Sequence, residues 1–194
     1  RIGEPFEVAG YRITLEKVEE RPGPNYDATV ATMRVSRDGR EVDVVPLICL
    51  DDVHPHLAID GARLGAQAIV GMSNDSWFTA HPLGARLHLT VAAFRSIETR
   101  LPQVRVTTNG LSAVIDDTGA VQARTAMGDQ AVLTAFVHAQ APPPTLMVRW
   151  GDWVGRAALV LWGVWAGVIA LRAASRRLQL RRAAPAAPTV YLLS

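Results

Sequence analysis

Cysteine is almost missing from this chain. One thiol, Cys49, stands among 194 residues, which excludes an internal disulfide and a zinc–cysteine cluster and leaves the redox compartment unstated. Charge of one sign is missing too. The 20 basic residues face 18 acidic ones for a net +2, too small an excess to argue for a nucleic-acid partner. Much of that excess sits in one late cluster, "RAASRRLQLRR", Arg172 to Arg182. Lysine is as scarce as cysteine, Lys17 being the only one. His54, His56, His81 and His88 lack the H-x-x-x-H helical spacing with an acid between, so no metal centre is expected. The chain opens on Arg1 with no visible signal peptide, and reads as a piece of something longer or as a processed product.

The chain does carry regular patterning, in a length that allows one ordinary domain plus an appendage. "EPFEVAGYRITLEKVEE" alternates apolar and polar residues through Val8, Tyr11, Ile13 and Leu15, the period of a half-buried strand. "RPGPNYD" is a turn cluster, and "ATVATMRVSRDGREVDVV" gives a second strand, a tight turn at "RDGR" and the start of a third. These make a small antiparallel segment over residues 1–42. From Val44 the texture changes. "VVPLIC" and "QAIVGMS" read as strands buried on both faces. "HPHLAIDGARLGA" and "LGARLHLTVAAFRSIETRL" read as helices, the first stopping near Gly65 and the second before Pro102. "QVRVTTNG", "LSAVIDDTGA" and "AVLTAFVHA" read as strands, with a hairpin turn at "DDTG" leading out of the second. Strands alternating with helices predict an α/β fold of packed sheet and helix layers over residues 43–150.

"APPPT" reads as an extended linker. From Trp153 to Leu171 the only charge is Arg156. Nineteen residues at about 1.5 Å each reach roughly the thickness of a bilayer core, so a transmembrane helix is expected at 153–172. Of Trp150, Trp153, Trp162 and Trp165, two lie at one edge, as an interfacial belt requires. The arginine cluster directly after the run predicts a cytoplasmic C-terminus, with residues 173–194 as a basic, low-complexity tail and the preceding domain on the outer side.

Cys49 ends a buried strand just before a turn toward a helix. Strand-to-helix elbows expose a nucleophile, and a helix N-terminus behind a thiol favours thiolate; a small buried core residue is the other reading. "SNDSWF", Ser73 to Phe78, offers polar residues and two aromatics at the next strand end, either a pocket wall or an N-capped turn. "RSIETR" sets Arg95 and Glu98 three apart on one helix, where a surface ion pair is the default. Asn109 before Gly110 reads as a simple turn.

"PLICLDD", "IVGMSNDSWF", "RLHLTVAAFRSIETRLPQVRVTTNGLSAVIDDTG" and "VRWGDW", in this order, resemble the C-terminal part of the apolipoprotein N-acyltransferase family, a membrane branch of the carbon–nitrogen hydrolase (nitrilase) superfamily. The resemblance covers about residues 44–171. It implies a partial α-β-β-α sandwich, preceded by the small antiparallel segment and followed by one transmembrane helix. It implies that Cys49 takes a fatty acyl chain from a phospholipid as a thioester and passes it to the N-terminal diacylglyceryl-cysteine amine of an apolipoprotein, with no cofactor. Leu50 and Asp51 stand where the family has an aromatic and an acid, and Asn74, Trp77 and Phe78 match its pocket segment. Arg95 and Glu98 match a structural helix pair. The implied location is the bacterial inner membrane, with the hydrolase-like domain periplasmic.

The family's general-base glutamate and oxyanion lysine lie upstream of its cysteine. Neither is assigned here, because the stretch before Cys49 is too short for that half and Lys17 lacks the family's surroundings. Instead "GEPFEVAGYRITLEKVEERPGPNYDATVATMRVSRDGREV", with its "AGY", "GPNY" and "RDG", resembles an extracytoplasmic β segment of the cytochrome c-type biogenesis (CcmF-like) family. Two alternatives to an acyltransferase therefore stand: a membrane-anchored, non-catalytic module of cytochrome c maturation, and an inactive hybrid whose missing sheet partners leave apolar strand faces uncovered.

Overall fold

The computed structural model describes residues 1–8, 10–22, 27–141 and 143–183. Most of the expected turn at "RPGPNYD" and nearly all of the low-complexity tail lie outside the described residues. The chain divides into two units, Arg1–Asp152 and Trp153–Ser194.

In the first unit, the described residues form one mixed sheet of eight strands lying in chain order. Strands β1 (Pro5–Val8), β2 (Tyr11–Pro22), β3 (Asp27–Arg37) and β4 (Arg40–Ile48) pair antiparallel. The β3–β4 loop is two residues long, Arg37 pairing with Arg40. Asp38 and Gly39 both adopt positive φ, 52° and 76°, the conformation that matches the twist of a two-residue hairpin. Strands β4, β5 (Ala68–Asn74) and β6 (Gln103–Thr108) then run parallel. Parallel neighbours need crossovers, supplied by α1 (Pro55–Arg63) and α2 (Pro82–Thr99). Strands β7 (Ala113–Ile115) and β8 (Val121–Arg124) complete the sheet antiparallel.

Each helix ends where its sequence dictates. Proline opens both crossover helices, where a missing N–H costs nothing. Beyond α1, Gly65 turns at φ 97° and donates its N–H to the Ala62 carbonyl; at the end of α2, Arg100 takes a left-handed conformation. The helices cover one sheet face. Val45, Leu47 and Ile69 pack there with Leu57, Ala58 and Ala62 of α1, each large buried side chain contributing about 1.5–3 kcal/mol. Ala85, Leu89 and Ala92 of α2 pack with Leu111, Ala113 and Ile115 in a second cluster. Helix α3 (Leu146–Trp150) is capped by Thr145 Oγ1, which accepts from the Val148 N–H at 3.0 Å, and Val148 joins the first cluster.

The opposite face of the parallel strands is apolar and open to water. Ile48 pairs with Met72 in the ladder, and Met72 with Val106. These three are 57%, 41% and 58% exposed. The molecule is thus α/β, as expected, with the described residues supplying a single sheet layer.

Three details depart from the sequence reading. The first expected strand is a hairpin, β1 and β2 folding back beside Gly10 at φ 79°. The run into Val44 and the "VVPLI" run are one strand, β4. Residues 131–139 form no strand, and Phe136 is 97% exposed. The place beside β7 is taken by β8, which comes directly after the Asp116–Gly119 turn. Asp116 Oδ1 ties that turn by accepting the N–H groups of Thr118 and Ala120, each at 2.9 Å, and a nearer partner closes a smaller loop.

The second unit consists, in its described part, of α4 (Trp153–Ala183). Trp153–Arg176 spans 24 residues, and an 18-residue window within it reaches a mean hydropathy of 1.8. At about 36 Å it is long enough, and apolar enough, to cross a bilayer.

Candidate functional site

The three parallel strands deliver their C-terminal ends to one edge of the sheet, the place where open α/β sheets bind ligands. Cys49 is the first residue after β4. It opens a short 3-10 turn, Cys49–Val53, and sits half-buried at φ 56°. A residue with a Cβ pays strain there and persists only where its surroundings hold it. Asn109, one residue past β6, is also left-handed at φ 57°.

Asp51 holds the elbow from outside: its Oδ2 accepts the Ile48 N–H at 2.8 Å, and its carbonyl accepts the His54 N–H at 3.0 Å. Leu50 is exposed. At the end of β5, Asn74 Oδ1 accepts the Ser76 N–H at 3.2 Å, and Asn109 Nδ2 donates to Ser76 Oγ at 3.3 Å, joining two strand ends. The two aromatics of "SNDSWF" part company. Trp77 is 78% exposed, whereas Phe78 packs on the second core cluster and meets the His88 ring edge-on at 6.0 Å between centroids.

Behind the elbow lies a polar network that sequence reasoning missed. Asp52, Asp75, His88 and Arg105 are all buried. Arg105 pairs with Asp52 through Nη1, and its Nη2 lies 3.0 Å from His88 Nδ1 and 3.6 Å from Asp75 Oδ2. His88 Nδ1 lies 3.0 Å from Asp75 Oδ1, and His88 Nε2 lies 3.5 Å from Asp52 Oδ2. Ser73 Oγ donates to Asp75 Oδ1 at 2.6 Å. The two carboxylates differ in proton affinity. Burial lifts Asp52 above the usual carboxylate range despite Arg105 and His88. Burial pushes Asp75 the same way, but hydrogen bonds from His88 and Ser73 with the charge of Arg105 outweigh it and hold Asp75 below that range. The signals were in the sequence: Arg105 takes an inward position of an alternating strand, and His88 an apolar helix face. Either could have been a core residue, and only the fold shows that both meet the same two acids.

Arg95 and Glu98 pair at 3.0 Å, Arg95 buried and Glu98 partly so, rather than on the surface. Burial lowers the Arg95 guanidinium and raises Glu98, partly offset by their mutual attraction. Thr145 Oγ1 donates to the Glu98 carbonyl at 2.7 Å, linking α2 to the cap of α3. Lys17 lies in β2 and pairs with Glu19. Among the described residues no group of three or more His, Cys, Asp or Glu side chains stands close enough to hold a metal ion. What the edge can offer chemically is one half-buried cysteine on a strained elbow, with amide side chains at the two neighbouring strand ends and a buried charge network that includes Asp52 of its own turn.

Comparison with known proteins places these features in context. The CcmF C-terminal beta-sandwich family matches residues 1–46. The apolipoprotein N-acyltransferase of Brucella melitensis biotype 1 is 32% identical over 177 residues, which is 89% of this chain and 31% of that protein. The enzyme of the same name from Bradyrhizobium diazoefficiens is 40% identical over 116 residues, 60% of this chain and 21% of that protein. The chain therefore spans about a third of the length of the Brucella relative or less of the others, and the Brucella match reaches back into the strands that the CcmF family covers. Among solved structures, a Saccharomyces cerevisiae member of branch 10 of the nitrilase superfamily is 18% identical with a TM-score of 0.39, covering 61% of this chain and 57% of that one. Over most of its length, then, this chain resembles the apolipoprotein N-acyltransferases, and its first four strands match the CcmF C-terminal beta-sandwich family.

Proposed function

We propose that residues 43–150 are the thiol-bearing half of an N-acyltransferase domain of lipoprotein maturation, with Cys49 as the acyl carrier. The observation that carries this is the position of Cys49, a lone thiol at φ 56° on the carboxyl end of a parallel strand. In the reaction, thiolate attacks the ester carbonyl of a phospholipid. A carbon–sulfur bond forms, and the lysophospholipid leaves as its alcohol. The α-amine of a diacylglyceryl-cysteine then attacks the thioester, a carbon–nitrogen bond forms, and the thiol is released. Asp51 shapes the elbow, Leu50 and Trp77 face the acyl chain, Asn74 orders the neighbouring strand end, and Phe78 supports it from within. Arg95 and Glu98 brace α2 internally as an i,i+3 pair, and the Glu98 carbonyl ties α2 to the cap of α3. Residues 153–172 cross the bacterial inner membrane and 173–194 stay in the cytoplasm, which puts the sheet on the periplasmic side, near both lipid substrates.

The glutamate base and oxyanion lysine of the resembling family have no counterpart at this edge, and groups that act as a unit lose most of their effect apart. The chain alone is therefore expected to show no measurable lipopeptide N-acylation. Grafted as Val44–Leu171 into the full-length Brucella relative, it should sustain N-acylation, and Cys49→Ala in the graft should remove at least 1,000-fold of it (about 4 kcal/mol). A folded but inactive graft, or one that works without the thiol, overturns the assignment.

A second reading rests on the CcmF C-terminal match, which ends before Cys49: residues 1–42 would be a module of cytochrome c maturation. A haem titration of the full chain that saturates at one equivalent supports that reading, and a featureless titration removes it.

A further inference from the structure

The geometry points to Asp52 and Arg105 as positioning residues for Cys49, their buried ion pair clamping the turn whose first residue is the thiol. The inference rests on the reading of Cys49 as the acyl carrier, and adds to it how the elbow is held.

A left-handed cysteine needs to be held at both ends of its turn. Consecutive acids do this in opposite directions. Asp51 reaches back and accepts the Ile48 N–H at 2.8 Å, fixing the turn to the strand it leaves. Asp52 points inward and meets the Arg105 guanidinium, both side chains 1% exposed. Arg105 belongs to β6, two strands away, so its side chain has to cross β5. It does so beside Gly71, its ladder partner. A Cβ at Gly71 would make ordinary contact with Arg105 Cγ at 3.6 Å, so the arginine stem runs directly over this position of β5. The far side of the guanidinium faces the Asp75 carboxylate after β5 and lies against the His88 ring of α2. The thiol's turn is thereby referenced to β5, β6 and α2 together, through a planar fork of fixed geometry.

The test uses the full chain in detergent micelles and the second-order rate of alkylation by iodoacetamide at one fixed pH, which reads Cys49 alone because there is no other thiol. Asp52→Asn keeps the shape and removes the charge. Arg105→Lys keeps the charge and shortens the arm that reaches Asp52. Each is expected to slow alkylation at least fivefold, at a temperature where circular dichroism shows the fold intact. The double variant D52E/R105K exchanges the lengths of the two arms, and is expected to return to within threefold of the parent. Leu111→Ala, which loosens the second core cluster without touching the turn, is expected to label within twofold of the parent. Parent-like labelling of folded D52N and R105K overturns the inference, as does an equal slowing by L111A. Alkylation reads the turn whether or not acyl transfer occurs. Failure of this inference is thus separate from failure of the acyl-carrier reading, which the Cys49→Ala graft decides.

Discussion

At the scale of residues, the buried acids show how a site can be hidden in plain sequence. Cys49 was legible because a lone thiol after an apolar run invites attention. Asp52 was not, since an acid beside another acid reads as solvated surface. The structure separates them: Asp51 caps a backbone N–H at the rim, and Asp52 lies under it against Arg105. Removing one partner of a buried pair leaves the other charge without compensation, so Arg105→Met is expected to cost about 3–5 kcal/mol in urea unfolding. Replacing Asp52 and Arg105 together by apolar residues should cost much less. Gly110 matters for a related reason. A Cβ there would stand 2.5 Å from Asp75 Cβ, closer than atoms pack. Gly110→Ala should push Asp75 off His88 and appear in NMR as a changed His88 ring environment. An unchanged ring spectrum would show that the loop gives way instead.

At the scale of elements, the helices and the parallel strands could be read from the sequence because burial periodicity and the end signals agree. Proline opens α1 and α2, and Gly65 stops α1. Pairing was less legible. Alternation reports which face a residue takes and says nothing of its neighbour, so residues 131–139 carried a strand pattern without a strand's place. The same limit hid the β1–β2 hairpin inside one alternating run. Contact between elements is tight where α1 crosses β4. A Cβ on Gly61 would meet Val45 Cγ2 at 2.5 Å, and Val45 is fully buried. Gly61→Ala is accordingly expected to cost about 1–3 kcal/mol by overpacking, measured as a lower urea midpoint at unchanged slope. For α4, Val164→Asp places a charge mid-span and is expected to weaken insertion by about 2.5–3.5 kcal/mol, seen as release of the chain from membranes by alkaline carbonate. Equal release of parent and variant would argue that α4 does not span.

At the scale of the whole molecule, acid stability sums over opposed groups. Asp75 is held below the ordinary aspartate value of about 3.9, so its contribution is complete above that pH and is lost as pH falls through its lower folded value. Asp52 is raised by burial, so the folded chain takes up its proton before the unfolded chain does, and this site favours the fold as pH falls toward about 3.9. The thermal midpoint should therefore hold or rise as the pH falls from neutral toward about 3.9 and drop below it. Asp75→Asn should melt lower at neutral pH and lose less on acidification, and an unchanged acid slope would assign that loss to other carboxylates. The antiparallel and parallel parts of the sheet meet on one strand, and that strand, in which the CcmF C-terminal match ends at residue 46, is β4. Its nine residues answer to two neighbours, antiparallel β3 along the first half and parallel β5 along the second. With side chains alternating every second residue, one amino acid inserted between Val42 and Val44 could satisfy either neighbour only by turning the other's residues inside out. The side of the sheet on which the sulfur emerges is thus settled eleven positions earlier, by the two-residue hairpin at Asp38 and Gly39.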